Sequence, residues 1–95
     1  MLFVDYVFSS EVSKIVPTLT ILSRDYCHLC HDMIEAIRQI QAVVPFPLEV
    51  IDVDSNPQLE EKYGELVPVL LAGERQICHY HLDHAALNAY LAEFR

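Results

Sequence analysis

The chain has 95 residues, enough for one small domain with a single hydrophobic core. Fourteen acidic residues against six basic ones give a formal net charge of −8. Such a balance disfavours nucleic acid and anionic membranes as partners, because both require basic patches. No segment approaches the roughly 20 apolar residues of a membrane span, and the apolar N-terminus lacks the basic stretch of a signal peptide. We therefore expect a cytoplasmic protein, in which a close cysteine pair is more often catalytic or metal-binding than structural.

The first half of the chain predicts a strand, a helix and a second strand. Residues 1–17 are interpreted as an appendage ahead of a domain at 18–95, and residues 3–8 could add an edge strand, pack on a partner or stay loose. Residues 18–23 alternate and carry β-branched side chains, which predicts the first strand. From Leu29 apolar residues recur at helical spacing, at Leu29, Met33, Ile37 and Ile40, which predicts a helix. Pro45 would end this helix. Residues 48–53 form a mostly apolar run, typical of a buried parallel strand.

The second half predicts a short helix, two strands and a last helix. Asn56 and Pro57 suit the start of a helix over residues 57–63, which Gly64 would stop. A tight turn at residues 73–74 separates strands at 68–72 and 75–81, so these two strands must be antiparallel. Asp83 can cap the last helix. The order is β-α-β-α-β-β-α, an α/β fold with a four-stranded mixed sheet flanked by helices.

The sequence Cys27-His28-Leu29-Cys30 lies at the junction of the first strand and the first helix. Free backbone N–H groups and the positive end of the helix dipole should favour a thiolate at Cys27. Cys30, about one turn further, is near enough to form a disulfide but more shielded. We therefore predict that Cys27 attacks a substrate disulfide and that Cys30 resolves the mixed disulfide. His28 would stabilise the thiolate when protonated, and Tyr26 is placed either to shield the dithiol or to contact the substrate.

Val67-Pro68 opens a predicted strand that is otherwise rich in valine and leucine. Proline cannot donate a hydrogen bond to a sheet, so its presence there requires an explanation. The simplest one is a special backbone geometry such as a cis peptide bond. We predict that Pro68 packs within van der Waals contact of the Cys27/Cys30 pair, a spacing of roughly 4 Å.

Taken together, these features resemble the thioredoxin-like superfamily, and most nearly its glutaredoxin-like branch. The resemblance covers residues 18–95 and includes the C-x-x-C sequence, Asp52-Val53-Asp54 and Leu66-Val67-Pro68. It implies that Cys27 is the nucleophile, that Cys30 resolves, and that Val67, before a cis-Pro68, pairs with the substrate backbone. The implied function is thiol–disulfide exchange that reduces protein or small-molecule disulfides. An unidentified donor would supply the electrons, and no prosthetic cofactor would be bound.

Two features depart from the glutaredoxin pattern, and the second concerns glutathione. The residues between the cysteines are His28-Leu29 in place of Pro-Tyr. The Gly-Gly that many glutaredoxins carry after the last strand is missing, and residues 80–84 read Tyr-His-Leu-Asp-His. Asp83 keeps part of the acidic pattern, but the segment contains neither lysine nor arginine. We expect glutathione to be at most a weakly bound co-substrate.

Three alternatives to dithiol chemistry stay open at this point. Cys27 to His31 matches the C-x-x-C-H haem-attachment motif, although no export signal accompanies it. A zinc or iron–sulfur site could use Cys27, Cys30 and His31, although a second pair of ligands is not evident unless a cluster is shared between two subunits. A non-catalytic thioredoxin-like module would only bind a partner.

The remaining candidates are interpreted as structural. Cys78 is expected to be a small core residue or a thiol on a strand face. His79 and His81 would alternate onto the solvated face of an edge strand. Arg24 and Asp25 are expected to be exposed loop charges, with Arg24 also able to favour the thiolate.

Overall fold

The computed structural model describes residues 17–94. Its elements are β1 (Leu19–Ser23), α1 (His28–Gln41), β2 (Leu48–Asp52), a single 3₁₀ turn (Val53–Ser55), α2 (Pro57–Tyr63), β3 (Val69–Ala72), β4 (Arg75–His79) and α3 (His84–Ala92). The hypotheses for residues 3–8 lie outside the described residues. Apart from the added 3₁₀ turn, the order of helices and strands is the predicted one.

The four strands form one mixed sheet in the order β2-β1-β3-β4. β1 and β2 are parallel and are joined through α1, while β3 is antiparallel to both β1 and β4. The predicted α/β architecture, with parallel first strands and an antiparallel final pair, is therefore confirmed.

Alternation along the two central strands builds a core on each face of the sheet. On one face, α1 and α3 cover a cluster of buried side chains: Leu19, Ile21, Met33, Ile37, Phe46, Leu70, Leu87, Tyr90 and Leu91. On the other face, α2 and the 3₁₀ turn cover a smaller cluster: Leu22, Val53, Val69 and Leu71. Successive residues of a strand point to opposite faces, which is why β1 and β3 contribute to both clusters.

Capping side chains define where the helices begin. Asn56 Oδ1 accepts hydrogen bonds from the backbone N–H groups of Gln58 at 2.9 Å and Leu59 at 3.2 Å. Asp83 Oδ1 likewise accepts from the N–H of Ala86 at 3.0 Å. Both caps satisfy backbone donors that the first turn of a helix leaves unpaired. The predicted starts of α2 and α3 are therefore confirmed.

Three expectations about the strands and α1 are wrong. β2 is parallel but lies at the edge of the sheet, where Glu49 and Val50 are exposed, so it is not a buried strand. β4 ends at His79, because Tyr80 adopts a φ of 65° and turns the chain out of the sheet. His81 therefore does not share a strand face with His79. Leu29, the first residue of the predicted apolar stripe of α1, is 39% exposed.

No helix among residues 17–94 is long and apolar enough to cross a bilayer.

Two valines of opposite exposure test the assignment of the smaller core. Val53 is fully buried, whereas Val43, just after α1, is 81% exposed. Val53→Ala should lower the free energy of unfolding by about 1.5–3 kcal/mol through lost burial and a residual cavity. The matched control Val43→Ala should change it by less than about 0.5 kcal/mol. Urea denaturation measures both, and equal effects of the two substitutions would contradict this assignment of the core.

Candidate functional site

Cys27 and Cys30 lie at the start of α1 with unequal exposure. Cys27 is the N-cap residue, with extended backbone angles, and its Sγ accepts a hydrogen bond from the backbone N–H of Cys30 at 3.1 Å. Cys27 is partly exposed, whereas Cys30 is completely buried. The two residues form a disulfide, with 5.2 Å between their Cα atoms. Solvent therefore reaches Cys27 and does not reach Cys30.

The first turn of α1 provides a positive electrostatic environment for Cys27. That turn contains no acidic residue, so no carboxylate offsets the positive end of the helix dipole there. The N–H of Cys27 donates to the carbonyl of Arg24 at 3.0 Å, and its carbonyl accepts from the N–H of His31 at 3.2 Å. These backbone bonds fix Cys27 at the helix entrance. His28, between the cysteines, is exposed to solvent.

Arg24 is not the exposed loop charge that the sequence predicts. Its side chain is 17% exposed, and it forms ion pairs with Asp54 at 3.2 Å and Glu60 at 3.1 Å. It also donates to the carbonyl of Gly64 at 3.2 Å. Its guanidinium therefore ties the end of β1 to the 3₁₀ turn and to α2. The nearest cation to the dithiol in sequence already has two carboxylate partners.

Strand direction could have indicated the pairing of Arg24 with Asp54. The parallel register pairs Ser23 with Asp52, so Arg24 and Asp54 follow the last residues of two neighbouring strands, at the same end of the sheet. Tyr26 lies close by: the Arg24 Cζ atom is 5.8 Å from the centroid of its ring. The ring of Tyr26 is 79% exposed.

The segment before β3 lies at the same end of the sheet as the loop after β1. Leu22 pairs with Val69, so the residues after β1 and those before β3 leave the sheet together. The Val67–Pro68 peptide bond is cis, and Pro68 is buried. The register thus brings the loop of Cys27 and the Val67-Pro68 segment to one end of the sheet.

Tyr80 is a site residue that the sequence analysis missed. Its N–H donates to the carbonyl of Pro68, and its hydroxyl donates to the carbonyl of Glu65, both at 2.9 Å. A positive φ is uncommon for a bulky residue, so the strand pattern of residues 75–81 carried no signal of this turn. Tyr80 connects the end of β4 to the segment that leads into the cis proline.

Asp83 and Cys78 have structural roles, one as a helix cap and the other as part of the core. The carboxylate of Asp83 is engaged in capping α3, as described above. Cys78 is half-buried on β4 against the larger core cluster. Burial raises the pKa of the Cys78 thiol, and the charge of Asp83 adds to the rise while the Asp83 backbone N–H opposes it. Within residues 17–94, no three His, Cys, Asp or Glu side chains are arranged to hold a metal ion.

Comparisons with known proteins agree with this geometry. A family model described as a glutaredoxin-like domain (DUF836) matches residues 18–92. The solution structure of protein Ne2328 from Nitrosomonas europaea is 40% identical, with a TM-score of 0.72 over 80% of this chain and 93% of that one. An uncharacterised protein of Mycobacterium tuberculosis, Rv0508, is 28% identical over 81 residues, 80% of this chain and 84% of the relative. Glutaredoxin C1 from poplar is 20% identical, with a TM-score of 0.54 over 90% and 92% of the two chains, and shares the fold.

The burial of Cys78 has a consequence for its reactivity. With the Cys27–Cys30 disulfide intact, iodoacetamide should modify Cys78 severalfold more slowly than it modifies the same thiol in concentrated guanidinium chloride. A raised pKa leaves less thiolate at a given pH, and the thiolate is the nucleophile. The rate in folded protein should keep rising at alkaline pH values where that of the unfolded protein has levelled off. Mass spectrometry follows the reaction, and equal rates in both states would contradict the proposed surroundings of Cys78.

Proposed function

Because the chain belongs to the glutaredoxin-like domain family, we propose that it is a thiol–disulfide oxidoreductase acting through Cys27 and Cys30. Its substrates are protein or small-molecule disulfides. The observation that carries the proposal is the unequal exposure of two bonded cysteines at a helix N-terminus, with Cys27 accessible and Cys30 buried. This is the arrangement that a nucleophile and a resolving cysteine require.

The exchange proceeds in two steps that return the protein to its disulfide form. The Cys27 thiolate attacks one sulfur of the substrate disulfide, forms a mixed disulfide and releases the other substrate sulfur as a thiolate. Cys30 then loses its proton and attacks the Cys27 sulfur, which releases the second substrate thiolate. The substrate gains two electrons, and an external two-electron thiol donor restores the dithiol. The hydrogen bond from the Cys30 N–H to the Cys27 sulfur is stronger when that sulfur is a thiolate, so it stabilises the attacking state.

Val67 and Pro68 are proposed to receive the substrate backbone beside the dithiol. Tyr80 binds the carbonyls of Glu65 and Pro68, on either side of Val67. The N–H and C=O of Val67 enter none of the loop and turn hydrogen bonds formed within residues 17–94. An extended substrate segment can therefore pair with Val67 as an added strand would.

His28 and Tyr26, the neighbours of Cys27 in the sequence, are also proposed to contact the substrate. Both side chains are exposed next to Cys27. Protonated His28 would also stabilise the thiolate, because a positive charge beside a thiolate favours the charged form.

Substitution of each cysteine separates the two chemical roles. Cys27→Ser should abolish reduction of bis(2-hydroxyethyl) disulfide, because the nucleophile is lost. Cys30→Ser should retain the first step and accumulate a mixed disulfide on Cys27, visible by mass spectrometry as an adduct that a strong reductant removes. Cys78→Ser is the control and should keep the wild-type rate. Activity that survives Cys27→Ser would reject the assignment.

Glutathione is proposed to be a weakly bound co-substrate. It carries two carboxylates, and Arg24 is engaged by Asp54 and Glu60, while Arg75 pairs with Glu93 at 3.4 Å. Residues 79–84 contain no lysine or arginine. Each missing charge-assisted hydrogen bond removes about 1.5–3 kcal/mol, so two weaken binding by roughly a hundredfold or more.

Calorimetric titration of reduced glutathione into the Cys30→Ser protein tests this expectation. We expect a dissociation constant in the millimolar range or no measurable binding. Wild-type protein with its disulfide intact serves as the control for contacts that do not involve the free sulfur. Micromolar affinity would contradict weak binding and would indicate that the chain binds glutathione as ordinary glutaredoxins do.

A further inference from the structure

A cleft of about 240 Å³ lies between α1 and the segment that joins β4 to α3. One face of α1 forms its first wall, with Leu29, Asp32, Met33 and Ala36 at helical spacings of three, four and seven residues. The opposite wall contains Tyr80, His81, Leu82 and His84. The exchange chemistry described above makes no use of this cleft.

One lining residue of the cleft, Leu29, follows Cys27 by two residues. Leu29 stands between the two cysteines in the sequence and is 39% exposed, although Met33, on the same face of α1, is buried in the core. A helix rises about 1.5 Å per residue, so the wall from Leu29 to Ala36 extends about 10 Å away from the dithiol. A substrate whose cysteine is joined to Cys27 therefore has the Leu29 end of the cleft within reach.

The opposite wall is fixed in place by Tyr80. Its hydroxyl donates to the carbonyl of Glu65 and its N–H donates to the carbonyl of Pro68, so this lining residue is tied to the segment on either side of Val67. The left-handed backbone conformation of Tyr80 sets the direction of its side chain. The wall is thus bound to the segment proposed to receive the substrate backbone.

We propose that this cleft binds one large apolar side chain of a protein substrate, close to the substrate's disulfide cysteine. The identity of the ligand rests on the proposed function. Sites for small-molecule ligands usually measure about 300–1,000 Å³, so the cleft is of a size for one side chain. An extended peptide advances about 3.3–3.6 Å per residue. The occupant should therefore lie within about three residues of the reacting cysteine.

The lining also sets the chemistry of that substrate segment. Four of the lining residues are apolar: Leu29, Met33, Ala36 and Leu82. The polar lining residues are Asp32, His81 and His84, and Asp32 is the one carboxylate among them. Asp32 forms no ion pair within residues 17–94. The whole chain is also strongly acidic. A lysine or arginine next to the apolar side chain complements this charge, so the segment combines one apolar and one basic residue.

Binding to the oxidised protein tests the cleft without any chemistry. The probes are two acetylated hexapeptide amides, Gly-Ser-Lys-Leu-Gly-Ser and its twin with serine in place of leucine. Each is titrated into isotope-labelled protein at neutral pH, and amide shifts are followed by NMR. We expect the leucine peptide to bind about tenfold more tightly and to shift the amides of residues 29–36, because only leucine gains apolar burial.

Two alanine substitutions provide a matched pair for this test. Ala36→Leu fills the cleft from the α1 wall and should remove the difference between the peptides. Ala89→Leu, at an exposed position of α3 away from the cleft, should leave that difference intact. Equal binding of both peptides to the wild-type protein, or discrimination that survives Ala36→Leu, would overturn the proposal.

A kinetic version connects the cleft to catalysis. The final serine of each peptide is replaced by cysteine, and that cysteine is joined as a disulfide to 2-nitro-5-thiobenzoate. The Cys27 thiolate attacks the peptide sulfur and releases the coloured thiobenzoate. Ala36→Leu should lower kcat/KM for the leucine peptide about tenfold, to the value for the serine peptide, and leave bis(2-hydroxyethyl) disulfide reduction unchanged. A chain that binds the leucine peptide selectively but reduces neither disulfide would refute the proposed function and support the cleft.

Discussion

The antiparallel pairing of β1 with β3 is the constraint on which the candidate site depends. It places the end of β1 opposite the start of β3, with Leu22 facing Val69. The parallel pairing of β1 with β2 brings the last residues of β2 to the same end of the sheet. Each strand then delivers a different part of the site: the loop to Cys27 after β1, Asp54 after β2, and Val67-Pro68 before β3. These two pairings therefore bring together Cys27 and Val67, which lie about forty residues apart in the chain.

Hydrophobic burial stabilises this register, and polar contacts orient the loops that leave it. The central strands bury both faces, and fully burying a large apolar side chain contributes about 1.5–3 kcal/mol. Arg24 pairs with two carboxylates that are about half exposed, and such pairs contribute little to stability. The role of Arg24 is therefore to fix the loop before Cys27 against the 3₁₀ turn and α2. Tyr80 fixes the other side of the site, at the segment before β3.

Much of the fold could be predicted from local signals, because those signals act within a few residues. The caps Asn56 and Asp83 and the turn at residues 73–74 specify their own boundaries. The exposure of β2 could not be predicted, because an apolar run does not say whether a strand is central or at an edge. The partners of Arg24 are thirty or more residues away, and only the strand register brings them near.

The site was predictable to a similar extent. The C-x-x-C spacing and its position at a strand–helix junction indicated the cysteine pair and its unequal exposure. Tyr80 was missed because the left-handed conformation is favoured by glycine and gives no signal at a tyrosine. The exposure of Leu29 could not be predicted either. Helical periodicity identifies the apolar face of a helix but does not show which residues of that face the rest of the protein covers.

A redox titration of the cysteine pair tests most directly whether Cys27 and Cys30 exchange with substrate disulfides. The protein is equilibrated in dithiothreitol buffers of graded potential, quenched with acid, alkylated and weighed by mass spectrometry. A dithiol that exchanges with substrates should titrate reversibly as a two-electron couple, with a midpoint roughly between −270 and −120 mV, the range of known disulfide oxidoreductases. Cys78 should stay a free thiol throughout. A pair that remains oxidised below about −300 mV, as structural disulfides do, would contradict the exchange role of Cys27 and Cys30.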